Sequence, residues 1–245
     1  MRQRIWFSAL VLVAAMTVGV TTADHLVTME VEPPATADKE AAEKETYTIW
    51  VGDARLREDR KNRSMIVDRT AGKLYVIKHA DKTYQKLDLP IDFESLVPQE
   101  MVNQWRTVLN ARKPSIEIEP ATETATVLGH EAKKYVAVIT DRQGSSTRLE
   151  MWATANPGFD VNAYKKLMRE VHALQPNSAE WIEQLFAVVD GYPVRMLRTA
   201  SMPDGELVWT EEMVSVEEKP APQGTWTPAE GYSEVEFSLL SAPVR

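Results

Sequence analysis

Between Thr46 and Leu87 the chain is a run of short strand-like segments, each followed almost at once by the next. Thr46–Val51, Ala54–Asp59, Ser64–Asp68, Lys73–His79 and Thr83–Leu87 carry the strand pattern. Gly52-Asp53, Thr70-Ala71-Gly72 and Ala80-Asp81-Lys82 supply turns. Connections this short leave no room for a crossover helix, so the strands pair with their sequence neighbours and run antiparallel. A second block repeats the pattern: Ser115–Glu119, Thr124–Leu128, Lys133–Thr140 and Ser146–Thr154. Its turns lie at Gly129 and Gln143-Gly144-Ser145. Val136-Ala137-Val138-Ile139 is apolar on both faces, which predicts a central strand covered on two sides. A last hairpin, Val194–Met202 and Glu206–Val216, turns at Met202-Pro203-Asp204-Gly205. Val235, Phe237 and Leu239 then alternate in an extended tail.

Helical periodicity appears between these blocks. After Pro98, the residues Met101, Val102, Trp105, Val108 and Leu109 share a face, and Pro114 ends the segment. After Asn156-Pro157-Gly158, Tyr164, Leu167, Met168, Val171 and Leu174 do the same, which places His172 on the solvent side. Pro176 interrupts. Asn177, with Glu180 three residues on, fits an N-cap for a further helix whose apolar face is Trp181, Ile182, Leu185 and Phe186. Strands in blocks, separated by two to three helices, predict an α+β fold on an antiparallel sheet, not a doubly wound parallel one.

The N-terminus carries an address. Met1-Arg2-Gln3-Arg4 is basic, Ile5–Val20 is uncharged and mostly apolar, and Thr21-Thr22-Ala23 offers small residues for cleavage. Ser8, Thr17 and Gly19 dilute the run, and it is shorter than the ~20 residues of a membrane span. Residues 1–23 are therefore expected to be a cleaved bacterial-type signal, giving a periplasmic or secreted chain with no integral span. Within 24–45, His25–Glu32 alternates as a strand. Pro33–Glu45, rich in Pro, Ala and charge, reads as a mobile acidic linker. Residues 46–245 are expected to form one domain. Asn62-Arg63-Ser64 fits the glycosylation pattern, and a chance match accounts for it.

Composition narrows the function. With 28 basic and 36 acidic residues the formal net charge is −8, so a nucleic-acid binder is disfavoured. The absence of cysteine removes disulfides, thiolate metal sites, a Cys nucleophile and a lipidated Cys anchor. His25, His79, His130 and His172 are too far apart for a helical zinc motif. No Gly-x-Ser-x-Gly elbow and no phosphate-cradling glycine loop occurs. Carboxylate pairs such as Asp92/Glu94, Glu117/Glu119 and Glu211/Glu212 are expected by chance in so acidic a chain. No catalysis, cofactor or metal is expected. What remains is apolar: Met101 with Trp105, Met151 with Trp152, Tyr164 with Met168, Trp181 with Phe186. Ordinary core accounts for such residues, and a cavity for a loosely specified hydrophobic ligand is the sharper alternative.

Several blocks carry a family likeness. They are Met65-Ile66-Val67-Asp68, Gly72-Lys73-Leu74-Tyr75-Val76-Ile77, Lys82-Thr83-Tyr84, Val127 through Tyr135, and Glu150-Met151-Trp152-Ala153-Thr154. Gly191-Tyr192-Pro193 and Pro228-Ala229-Glu230-Gly231-Tyr232 complete the set. In this order they resemble the superfamily of LolA- and LolB-like lipoprotein carriers, and especially the exported family called domain of unknown function 4412. The resemblance covers roughly 46–240. It implies an open half-barrel, a curved antiparallel sheet whose concave face is closed by helices over a space for acyl chains, with no cofactor and no catalysis. LolB-type members carry an anchoring Cys that this chain lacks, and Pro33–Glu45 is extra to the pattern. Apolar periodicity then nominates Met101, Trp105, Trp152, Tyr164 and Met168 as ligand-binding residues. The expected partner is a lipid or other hydrophobic small molecule. The alternative is an envelope protein-interaction or sensor module, its concavity filled by its own side chains and its partner a protein.

Overall fold

The computed structural model describes residues 23–34, 43–141, 144–202 and 205–237. The expected signal segment, most of the acidic linker and the end of the tail, including Leu239, lie outside them. The described residues form one twelve-stranded sheet and three α-helices. The sheet is open and almost entirely antiparallel.

The first meander is β2 (Glu45–Val51), β3 (Arg55–Arg60), β4 (Arg63–Asp68), β5 (Lys73–Lys78) and β6 (Thr83–Asp88). The second is β7 (Ser115–Val127), β8 (His130–Thr140), β9 (Ser146–Thr154), β10 (Tyr192–Met202) and β11 (Gly205–Glu218). β1 (His25–Glu32) joins them, pairing with β2 on one side and β11 on the other. The spatial order is β12-β6-β5-β4-β3-β2-β1-β11-β10-β9-β8-β7. β12 (Ser233–Glu234) is the exception in direction, lying parallel to β6.

Several sequence expectations need correction. Ser115–Glu119 and Thr124–Leu128 are one strand, because β7 passes through Pro120 with a register shift before Thr124. An edge strand tolerates proline because its outward N–H needs no partner. The apolar run in β8 is not central: β8 is second from the edge. Ala137 is buried against the helices, while Val136 and Val138 pair opposite Glu119, Glu150, Glu117 and Arg148 on the other face. Long polar side chains partly cover that face, which a hydropathy pattern does not reveal. Pro176, finally, starts a helix. α3 (Pro176–Val188) takes it at the first turn, ahead of the expected cap Asn177, because proline's fixed φ suits that position.

α1 (Val102–Arg112) follows two short 3-10 turns, Phe93–Leu96 and Gln99–Met101. α2 (Val161–Ala173) begins where the Asp160 carboxylate accepts hydrogen bonds from the Asn162 and Ala163 amides, at 2.8 and 3.2 Å. Its buried residues Ala163, Leu167, Met168 and Val171 form the stripe that meets the sheet. α2 and α3 are an antiparallel hairpin. Lys165 Nζ, near the start of α2, donates to the Phe186 and Val189 carbonyls at the end of α3, at 3.0 and 2.7 Å. Arg169 and Glu183 pair across the hairpin at 2.7 Å. This arrangement buries His172, whose ring meets Phe186 edge-on at 6.5 Å. α3 covers the side of α2 that periodicity left to solvent. No helix among the described residues is long and apolar enough to cross a membrane.

The tail after β11 crosses the far face of the first meander. Arg57 donates to the Thr225 carbonyl at 2.8 Å, and Arg55 stacks over Trp226 at 4.7 Å. The tail then adds β12 beside β6 and packs Phe237 onto the core. The two ends of the fold are tied together, since Asp24 accepts from the Lys219 and Ala221 amides.

Candidate functional site

Two apolar clusters lie between the helices and the sheet. In the larger, Leu167, Met168, Val171 and Leu174 meet Val27, Met29, Ile49, Met65, Val67, Leu74 and Met213. In the smaller, Ile182, Leu185 and Val189 meet Tyr135, Ala137, Leu149, Met151 and Ala153. Alternation explains the selection: on each strand every second residue faces the helices. Methionine is heavily used here, with Met29, Met65, Met151, Met168 and Met213 all at 5 % exposure or less.

At one end of the layer the contents become aromatic and polar. Tyr164 and Tyr192 meet edge-on at 5.0 Å, Phe159 and Tyr192 at 5.1 Å, and the Tyr192 hydroxyl points at Met29 Sδ at 3.5 Å. Next to them Tyr47 donates to Glu211 at 3.1 Å, and the Arg60 guanidinium lies 3.7 Å from the Tyr47 ring centre. Arg60 also pairs with Glu58 at 2.7 Å. Glu58 is a carboxylate at a core position, 6 % exposed and in register between Ile49 and Met65. Burial works against the Arg60 charge. The carboxylates of Glu58 and Glu211, with Tyr47, outweigh it and hold its pKa above the usual value.

Burial pushes the Tyr47 phenol well above its ordinary pKa, with the Glu211 charge adding to it. Burial, then Tyr164 and Tyr47, do the same for Tyr192. A folded-state pKa raised above about 10 means stability that is fully present below pH 10 and lost as pH rises through the folded value. In an alkaline titration followed by phenolate absorbance, two of the seven tyrosines, Tyr47 and Tyr192, should therefore ionise only together with unfolding. Tyr47→Phe and Tyr192→Phe should each remove one late-titrating group.

The five nominated residues do not share one space. Met168 is buried in the larger cluster, and Tyr164 is half-buried against it. Trp152 touches the margin of that cluster. Its neighbour Met151 takes the helix-facing position, and Trp152 lies between the Lys134 ammonium at 5.0 Å and the Arg195 guanidinium at 5.8 Å. Met101 is 39 % exposed and belongs to neither cluster. Nor does Trp105, whose ring packs edge-on to Phe93 at 6.3 Å. The Trp105 Nε1–H is buried with no hydrogen-bond partner among the described residues.

Sequence reasoning missed Glu58 and Arg60. In an acidic chain neither stands out, although Leu56, two residues before Glu58, marks the inward-facing positions of β3. It also missed a Ser–His contact on the far face. Ser64 Oγ lies 2.8 Å from His79 Nε2 and bonds to Asp59, while His79 Nδ1 is 2.9 Å from the Tyr232 hydroxyl. A carboxylate only accepts, so Ser64 donates to Asp59 and accepts from His79 Nε2–H, and the other ring nitrogen, Nδ1, shares a hydrogen bond with the Tyr232 hydroxyl. Ser64 is 1 % exposed, so this chain anchors the tail to the sheet and presents no reachable nucleophile. Among the described residues no group of three or more His, Asp or Glu side chains is placed to hold a metal.

No functionally curated protein matches the chain significantly. Similar solved structures are distant. PNGF-II shares 13 % identity at a TM-score of 0.44, over 89 % of this chain and 32 % of that one. MucB shares 14 % at 0.35, over 86 % and 59 %. A putative outer membrane lipoprotein-sorting protein domain from Vibrio parahaemolyticus shares 9 % at 0.30, over 82 % and 87 %. The chain thus spans about a third of the first and under two thirds of the second, and likenesses this remote bring no function with them. The family model for domain of unknown function 4412 matches residues 36–232, from before β2 to the Tyr232 anchor, and the chain belongs to that family.

Proposed function

We propose that the chain is a non-catalytic envelope protein that holds a lipid, an acyl chain or another hydrophobic molecule between the α2–α3 hairpin and the sheet. The shape required is a sheet bent around the hairpin. α2 touches β3 and β4, and α3 touches β7, eight strand positions from β4. On a flat sheet that distance is roughly 38 Å, whereas two helices side by side span only about 20 Å. On this reading the sheet curls toward the helices, which then cover its concave face.

The observation that carries the reading is the methionine content of the layer. Five of the ten methionines, Met29, Met65, Met151, Met168 and Met213, are buried there. Unbranched thioethers repack at little cost, so a layer filled by them can part for an apolar chain and close again. The basic start and apolar run at residues 1–20 supply the route to the periplasm.

Titration with a fluorescent fatty acid tests this. Saturable binding by the wild type, changed several-fold in Met168→Ala, is the expected result, and no saturable binding overturns the reading. A second reading, a protein-interaction module, is favoured by the long β7 edge: β6 is partly covered by β12, while β7 pairs only with β8 among the described residues. Lipid released from the purified protein into organic solvent separates the two.

A further inference from the structure

We propose that the cleft where α2 meets the end of β4 binds a carboxylate or phosphate group, and that, on the reading above, this group is the head of the hydrophobic ligand. The cleft measures about 360 Å³ and is lined by Arg69, Lys166, Arg169 and Glu170. Three cations converge there on a chain whose formal net charge is −8.

Their charges are incompletely matched. Arg169 is held from the other side by Glu183 at 2.7 Å. Arg69 and Glu170 are 4.0 Å apart, at the outer limit of an ion pair. Lys166 is exposed and has no acidic partner among the described residues. Lys166 and Arg69 are thus the two cations with most to gain from an incoming anion, and paired guanidinium and ammonium donors are the groups that recognise carboxylate and phosphate.

The position matters as much as the charge. Leu167 adjoins Lys166 in sequence and Val171 adjoins Glu170, and both are buried in the larger cluster with Val67 and Leu74. The cleft therefore sits at the seam between α2 and the sheet. An anion seated there directs an attached apolar chain toward the methionine layer, and its charge stays in water-accessible surroundings, where holding it costs little.

The test compares cis-parinaric acid with its methyl ester, with inorganic phosphate as a third probe. The full-length mature protein is used as wild type, Lys166→Glu, Arg69→Glu and Glu170→Gln. The acid should bind wild type about tenfold more tightly than the ester, and each charge reversal should abolish that preference. Glu170→Gln should act in the opposite sense and strengthen it, a gain that damaged folding does not produce. Equal binding of acid and ester in all four proteins overturns the headgroup site while leaving the carrier reading standing. Phosphate binding lost in Lys166→Glu, with neither lipid bound, supports the anion site, assigns it to a free ion and removes the carrier reading. No binding of any probe overturns both.

Discussion

Gly191→Ala is expected to cost about 3 kcal/mol or more, or to prevent folding, because the substitution fails on two counts at once. Gly191 has φ +126°, a conformation that side chains rarely adopt. A Cβ there would also sit 2.3 Å from the Thr154 carbonyl oxygen and 2.9 Å from the Ala155 nitrogen, both backbone atoms that cannot turn away. The approach is needed because β10 enters the sheet here, with Tyr192 pairing opposite Thr154. Gly205 is the control. Its φ is +132°, yet no described residue beyond its chain neighbours lies within 4 Å of its Cβ position. Gly205→Ala therefore carries backbone strain alone, about 1–3 kcal/mol. Urea midpoints of the two variants separate strain from collision. Equal losses would mean that the close approach of β10 to β9 is not rigid. The glycine of the Gly191-Tyr192-Pro193 block thus has a physical reason to be there.

Removing Glu58 is expected to have the next largest effect. Glu58→Leu leaves the partly buried Arg60 guanidinium without its 2.7 Å partner and should cost about 2–4 kcal/mol. Glu211, held by Tyr47, is near enough to compensate in part, which keeps the figure below that of a fully orphaned charge. Replacing both partners, Glu58→Leu with Arg60→Met, should recover much of the loss, since the apolar pair carries no desolvation penalty. Chemical denaturation of the single and double variants forms the test. A double variant as unstable as Glu58→Leu alone would show that the pair's other contacts, above all the stacking of Arg60 on Tyr47, matter more than its charge.

Much of the sheet was legible because its pairing is local. β1 matches its predicted span, His25–Glu32, and the strands of the first meander match to within a residue or so at their ends. There, period-two alternation and Gly- or Asp-containing turns fall in sequence order. What could not be read is non-local. Nothing in His25–Glu32 announces that β11, almost two hundred positions away by number, will be its second neighbour. The same limit governs the site. Tyr164 and Met168 lie together in the layer because they share one helix face, which carries its own periodic signature. Met101 and Trp105 share a predicted face too, but the nearby Phe93, on its 3-10 turn, already occupies the Trp105 ring. Trp152 looked apolar and available, yet strand alternation gave Met151 the inner position and left the indole between two cations. Glu58 was passed over and His172 was placed in solvent for one shared reason. Composition treats an acid or a histidine as solvated, and only packing shows which few are enclosed.

The most direct measurement is photo-crosslinking with a fatty acid that carries a diazirine near its chain end, followed by peptide mapping of the adducts. A ligand held between the α2–α3 hairpin and the sheet predicts labels on Met168, Met65, Met213 and Tyr192, the residues that face each other across the layer. Labelling that falls only on exposed apolar residues such as Met101, Val188 and Val208, or no labelling at all, would contradict it.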